Sequence, residues 1–233
     1  MSQWFDPLLQ LIFPDRCLYC RSILPSGTGR PLCSPCEKKF TAAGLFCPGC
    51  ERFYRQRREC SCCRAGIPLQ ALFALSSYEQ QWRILLHGLK YHRRRTLARP
   101  FGRLLGYEIL EHQFCNPDLV VPVPLHVRRE KERGFNQSRL IAYHTGQVLG
   151  KPVQSILFKN RDTLSQTALS RPERLENVRG AFSCNSPLPE GSEVLVIDDI
   201  YSTGSTIKEA AAALQSCGLK VYGAVLAYNP RAQ

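Results

Sequence analysis

The sequence predicts an α/β fold with a mainly parallel sheet, preceded by a cysteine-rich segment. Three observations predict it. From residue 69 onward, short apolar runs alternate with stretches of helical apolar spacing. The run EVLVI (193–197) is continuously apolar, as a parallel strand covered on both faces must be. Nine of the twelve cysteines fall within residues 17–63, a segment with little apolar core of its own.

The elements follow in chain order. MSQWFDPLLQLIFPDR opens the chain with an apolar patch but no leading positive charge, so it does not read as a signal peptide. The longest apolar runs, such as DLVVPVPL, are too short to span a bilayer. The expectation is a cytoplasmic protein that meets a membrane only through partners. Without a secretion signal, a disulfide framework is disfavoured for the cysteines.

Those cysteines form C-x2-C pairs: Cys17/Cys20, Cys33/Cys36, Cys47/Cys50 and Cys60/Cys63. This spacing lets two thiolates face one tetrahedral ion, and four pairs supply ligands for two structural Zn2+ ions. Sequential pairing (17, 20, 33, 36 and 47, 50, 60, 63) is simplest. Cross-braced pairing stays open, and Cys62 is an alternative to Cys60 or Cys63. Metal binding would supply the folding energy of so small a unit. Gly66 and Pro68 mark the boundary, giving a zinc-ribbon domain over 1–68 and an α/β domain over 69–233.

In the second domain, ALFALSSY (71–78) reads as a strand. Trp82, Leu85, Leu86 and Leu89 then line one helix face, and Leu97, Phe101, Leu104 and Leu105 line another. DLVVPVP (118–124) is a buried strand stopped by prolines. NQSRLIAYHTGQVLG is a helix closed by Gly150 and Pro152. VQSILF is a strand. EVLVI is the buried parallel strand, Thr206 to Cys217 is a helix with Gly218 past its end, and KVYGAVLAY is the last strand.

The stretch VLVIDDIYSTGST (194–206) carries the chemistry. Asp198 and Asp199 fall at the carboxyl end of a parallel strand, where open α/β sheets bind ligands. Ser202, Thr203, Ser205 and Thr206 surround Gly204, and the following helix points free N–H groups and its positive dipole end into that loop. Carboxylates would repel a phosphate but accept hydrogen bonds from a diol or help hold a divalent cation. Together these parts describe a ribose 5-phosphate site. A capped helix after a buried strand explains one or two such polar residues, not six in nine. A Walker loop is excluded by the missing lysine.

The formal charge is +12, and most of the excess lies before residue 140. Clusters such as RFYRQRR and YHRRRTLAR suit a polyanionic partner.

VLVIDDIYSTGST resembles the PRPP-binding signature of type I phosphoribosyltransferases. With CLYC…LCSPC…CPGC, GLKYH, VVPVPLHVRREKERGFNQS and RDTLSQTALSRPERLENVRGAF, the whole chain resembles the ComF family of competence proteins. The resemblance implies a type I phosphoribosyltransferase-like sheet flanked by helices behind a double zinc ribbon. It also implies PRPP with Mg2+ as ligand, and a role in handling incoming single-stranded DNA during natural transformation. The partners it implies are other competence proteins and a DNA translocase at the inner membrane.

PLHVRREKERGFNQS matches the position of the pyrophosphate loop, with Arg128, Arg129 and Arg133 as its cations, and Lys90 within reach of the diphosphate. RDTLSQTALSRPERLEN resembles the flexible catalytic loop of glutamine phosphoribosyl amidotransferases, bringing Arg161, Gln166, Arg171 and Arg174. Asp198, Asp199, Arg161 and Arg133 are the expected catalytic residues.

The acceptor is not legible. No base-reading set is evident, and Cys17, the first cysteine, sits in a knuckle, which argues against glutamine hydrolysis. Two functions stand: a PRPP-binding phosphoribosyltransferase-like component of DNA uptake, and a non-catalytic nucleotide or single-stranded DNA binding module using the same pocket.

Overall fold

A computed structural model describes residues 14, 16–17, 19–25, 32–36, 44–50, 52–54, 67–78, 80–91, 95–162 and 177–229. Among the expected site residues, Cys60, Cys63, Gln166, Arg171 and Arg174 lie outside the described residues, as does the alternative ligand Cys62. Of Lys90, only the helical backbone is described.

Among the described residues, the central sheet has six strands. Four are parallel: β3 (Ala71–Ser77), β8 (Lys220–Tyr228), β7 (Glu193–Tyr201) and β4 (Leu119–Pro122), in that spatial order. β1 (Gly44–Phe46) adds antiparallel to the outer edge of β3, and β2 (Phe53–Tyr54) adds to β1. The sheet therefore runs across residue 68: a hairpin from the cysteine-rich segment shares it with the α/β segment.

One face is covered by α1 (Gln80–Tyr91), α2 (Ala98–Glu111) and α4 (Gln137–Leu149). Trp82, Leu86, Leu89, Phe101, Leu104 and Leu105 are buried there, as their helical spacing predicts. α2 and α4 pack closely because Gly102 has no side chain. A Cβ on it would stand 2.6 Å from the Ile141 carbonyl oxygen, and the Thr145 hydroxyl donates to the Gly102 carbonyl at 3.0 Å. The other face is covered by α5 (Ser205–Gln215) through Ile207, Ala210, Ala211 and Leu214.

Three expectations need correcting. The strand read as EVLVI continues to Tyr201, because Ile200 and Tyr201 still pair with Ala227 and Tyr228. Both aspartates therefore lie within the strand, near its carboxyl end. The stretch read as a loop at 125–134 contains a two-turn helix, α3 (Val127–Arg133), closed by Gly134 in the left-handed region at φ +79°. VQSILF forms a strand only at β5 (Leu157–Lys159), which leaves the main sheet to pair with β6 (Phe182–Cys184), a strand not foreseen.

Candidate functional site at the carboxyl end of β7

β7 and β4 set the floor of the site. Asn136 caps α4 by accepting from the Arg139 N–H at 3.3 Å, and its amide donates to the Val123 carbonyl at 3.0 Å. Val123 N–H in turn donates to the Ile197 carbonyl at 2.9 Å. This ladder holds the first turn of α4 against the end of β7.

Both carboxylates use that turn. Asp198 is 8% exposed and Asp199 4%. Ser138 Oγ donates to Asp198 Oδ1 at 2.9 Å, as does the Asp199 backbone N–H. Gln137 Nε2 donates to Asp199 Oδ2 at 3.3 Å, while Gln137 Oε1 accepts from Arg133 Nη1. Arg133 thus acts on Asp199 through Gln137. Two adjacent buried carboxylates are costly unless bonded, and these donors supply part of the compensation.

The turn after β7 is built on Gly204, at φ +73°. A Cβ there would stand 2.4 Å from Cζ and Oη of Tyr201, so the side of Gly204 that a side chain would occupy is filled by the tyrosine ring. The Thr203 and Ser205 hydroxyls bond each other at 2.9 Å and are buried, while Ser202 and Thr206 are half-buried. Gly204 has no side chain to cap α5, and the first turn of α5 holds no acidic residue. The positive end of the helix keeps its attraction for an anion.

The cations divide. Arg128 is exposed and paired with Glu132 at 3.1 Å, on the solvent side of α3. Arg129 Nε lies 3.7 Å from Asp162 Oδ1, and His126 Nδ1 lies 3.6 Å from the same oxygen. Arg161 donates to the Asn177 and Arg179 carbonyls at 3.3 and 2.8 Å, tying together the chain on either side of 163–176. Arg95 donates to the Gly134 carbonyl at 2.8 Å and lies 4.8 Å over the Phe135 ring, which holds the α3–α4 turn from outside.

Three residues of the site were not singled out from sequence. Ser138 and Gln137 look like ordinary helix positions until the fold brings them to β7. Lys159 is a lone lysine in a strand-like run. Its ammonium lies 5.5 Å over the Phe182 ring. Burial first, and then the charge of Arg129, pull its pKa down to about 8, against the opposing attraction of Asp198 and Asp162. Lys159 thus lies within electrostatic range of Arg129, Asp162 and the Asp198 carboxylate of β7.

A second constellation lies in the N-terminal segment. The sulfurs of Cys17, Cys20, Cys33 and Cys36 lie within 4.8 Å of one another, and Cys20 and Cys33 are 3.6 Å apart. Thiolates about 2.3 Å from a tetrahedral zinc ion stand roughly 3.8 Å apart, so the four fit one such ion. Hydrogen bonds from the Ser22 side chain and backbone pull the Cys20 thiol down to about 6, whereas burial pushes Cys36 up to about 12. Cys47 accepts from the Gly49 N–H at 3.3 Å, the turn expected of a metal-binding knuckle. Cys60 and Cys63, the pair that the simplest sequential arrangement would join to it, lie outside the described residues.

Comparison with known proteins decides the family. The chain is 32% identical over 208 residues to the DNA utilization protein YhgH of Escherichia coli O157:H7, covering 86% of this chain and 91% of that protein. It is 28% identical over 217 residues to competence protein F of Haemophilus influenzae, covering 89% and 94%. The chain belongs to the ComF family. The profile described as Phosphoribosyl transferase domain matches residues 137–233 of this ComF protein, from the first turn of α4 to the C-terminus. A glutamine PRPP amidotransferase from B. subtilis complexed with ADP and GMP overlaps 60% of this chain and 30% of its own, at 21% identity and a TM-score of 0.41, a likeness too loose to argue from. The architecture is a mainly parallel sheet flanked by helices, matched over 137–233 by the phosphoribosyl transferase domain profile, with a cysteine cluster able to form a zinc site before it. Among the described residues, no helix is long and apolar enough to cross a membrane.

Proposed function

We propose that this ComF protein binds PRPP with Mg2+ at the carboxyl end of β7 and serves the handling of single-stranded DNA during natural transformation. One observation carries the ligand assignment: two buried, adjacent carboxylates beside an anion-attracting turn at the mouth of a parallel strand. The 5-phosphate occupies the Ser202–Thr206 turn. Asp198 and Asp199 accept from the ribose hydroxyls. Arg133, Arg129 and Lys159 face the diphosphate, with Arg128, Arg161, Gln166, Arg171, Arg174 and Lys90 as further contacts implied by the family pattern. The DNA role rests on the relatives named for DNA utilization and competence, with competence proteins, among them an inner-membrane DNA translocase, as partners.

If the site turns over, an acceptor nucleophile bonds to the anomeric carbon as the bond from that carbon to the diphosphate breaks, and the diphosphate leaves with the electron pair. Mg2+, when bound, would neutralise diphosphate charge, and Asp198 and Asp199 are the residues that would hold it. The same carboxylates stabilise positive charge developing on the ring, and the cations stabilise the departing diphosphate; a single such donor is worth about 3–4 kcal/mol. The eight cysteines of the four knuckles hold two structural Zn2+ ions.

A second reading is favoured by the +12 charge: the pocket grips a nucleic-acid phosphate without turnover. Titration with Mg2+ and PRPP, with and without single-stranded DNA, separates the two. Saturable PRPP binding indifferent to DNA supports the first; mutual competition supports the second; absence of PRPP binding removes the first.

A further inference from the structure

Tyr201 ends β7 and is 1% exposed. Its ring meets the edge of Phe46 on β1 at 5.0 Å and lies 5.6 Å from Tyr228. Its hydroxyl donates to the Pro48 carbonyl at 3.5 Å. Pro48 stands inside the Cys47–Cys50 turn, whose geometry is kept by the Gly49 N–H on Cys47 Sγ and by the Cys47 N–H on the Arg52 carbonyl at 3.0 Å. The same ring and hydroxyl occupy the space where Gly204 would carry a side chain, within 2.4 Å of that position. One side chain therefore touches the cysteine knuckle on one side and the turn after β7 on the other.

We propose that Tyr201 is a positioning residue through which the 47–50 knuckle sets the shape of the Ser202–Thr206 turn. Gly204 is left-handed, one of several conformations that glycine adopts at similar cost, so its neighbours select which one it keeps. The three heavy atoms nearest to where a Gly204 side chain would stand all belong to the Tyr201 ring and hydroxyl. The ring is held by Phe46 and Pro48, which sit 153 residues away from it in sequence at the Pro48 end. When the knuckle opens, the Pro48 acceptor and the Phe46 edge move, and the ring no longer supports the turn. The cysteine-rich segment is thus part of the frame of the site. That the turn binds a phosphate rests on the function proposed above; the mechanical link does not.

Hydrogen exchange of the full chain tests the link at the backbone amides of 203–206. Tyr201→Phe removes the hydroxyl and keeps the ring; Cys47→Ser disturbs the knuckle directly. Loss of one buried hydrogen bond corresponds to roughly three- to tenfold faster opening. The expected result is that acceleration at 203–206 in both variants, with amides of α4 at wild-type rates. Wild-type rates at 203–206 in both variants overturn the proposal, and so does an acceleration shared equally by α4. If Cys47→Ser does not fold, Tyr201→Phe alone decides between the same two results. Calorimetric titration with Mg2+ and PRPP runs alongside: weakened binding by Tyr201→Phe supports the proposal. If the wild type binds no PRPP, the phosphate reading falls while the exchange rates still judge the link.

Discussion

Ser138 Oγ donates to Asp198 Oδ1 at 2.9 Å, joining the first turn of α4 to the end of β7. The bond serves stability and site at once. It compensates a carboxylate that is 8% exposed, and it fixes where that carboxylate points.

Ser138→Ala should therefore destabilise the protein by about 1–3 kcal/mol, the cost of leaving a buried acceptor short of a donor. Urea denaturation of the two proteins reads this directly. Ser138→Thr, which keeps the hydroxyl, should cost less.

Gly204→Ala should be worse tolerated than its size suggests. The residue sits at φ +73° and a methyl would meet the Tyr201 ring at 2.4 Å. Strain of this kind costs about 1–3 kcal/mol. A fall in melting temperature with weakened PRPP binding is expected. Gly191→Ala, also at positive φ but with nothing within 4 Å, separates the steric part from the conformational part.

Lys159 gives a pH dependence. Its folded pKa, about 8, lies below its ordinary 10.5. Between these values the unfolded chain binds more protons than the folded one, so stability rises as pH increases from 8 to 10.5. Below 8 the folded protein carries the full cost of a half-buried, partly desolvated cation. Lys159→Met should raise the urea midpoint at pH 7 and flatten the slope between pH 8 and 10.5. A bound diphosphate should raise the pKa again, seen as proton uptake when PRPP is titrated near pH 8 in buffers of different ionisation enthalpy.

Much of this was legible before the fold was known, and the reasons are physical. The helix faces of Trp82–Leu89 and Leu97–Leu105 follow apolar spacing, which burial enforces. Asp198, Asp199 and the Gly204 turn stand out because so many polar residues rarely end a buried strand. α3 was missed because it buries no residue, so it leaves no periodic signal. β7 was read four residues short because charge at 198–199 looks like a strand end, whereas α4 supplies donors that let the strand continue. Ser138, Gln137 and Lys159 act through partners far away in sequence, which no local pattern encodes. The pairing of β1 with β3 is likewise non-local.

The cysteine cluster predicts metal dependence. Elemental analysis of the purified chain should find zinc, and Cys20→Ser should bind less of it, because Cys20 is one of four sulfurs that could hold one ion with Cys17, Cys33 and Cys36. Two ions per chain would match four knuckles; one would leave Cys47 and Cys50 without a metal role. Because the thiolate is the ligand, acidification should release the metal.

Binding of a sugar phosphate by the β7 carboxylates is tested by calorimetric titration of wild type and Asp199→Asn with PRPP and Mg2+. Saturable binding by the wild type, lost in a variant that melts at the wild-type temperature, is the predicted result. Equal binding by both proteins, or none by the wild type, would contradict it.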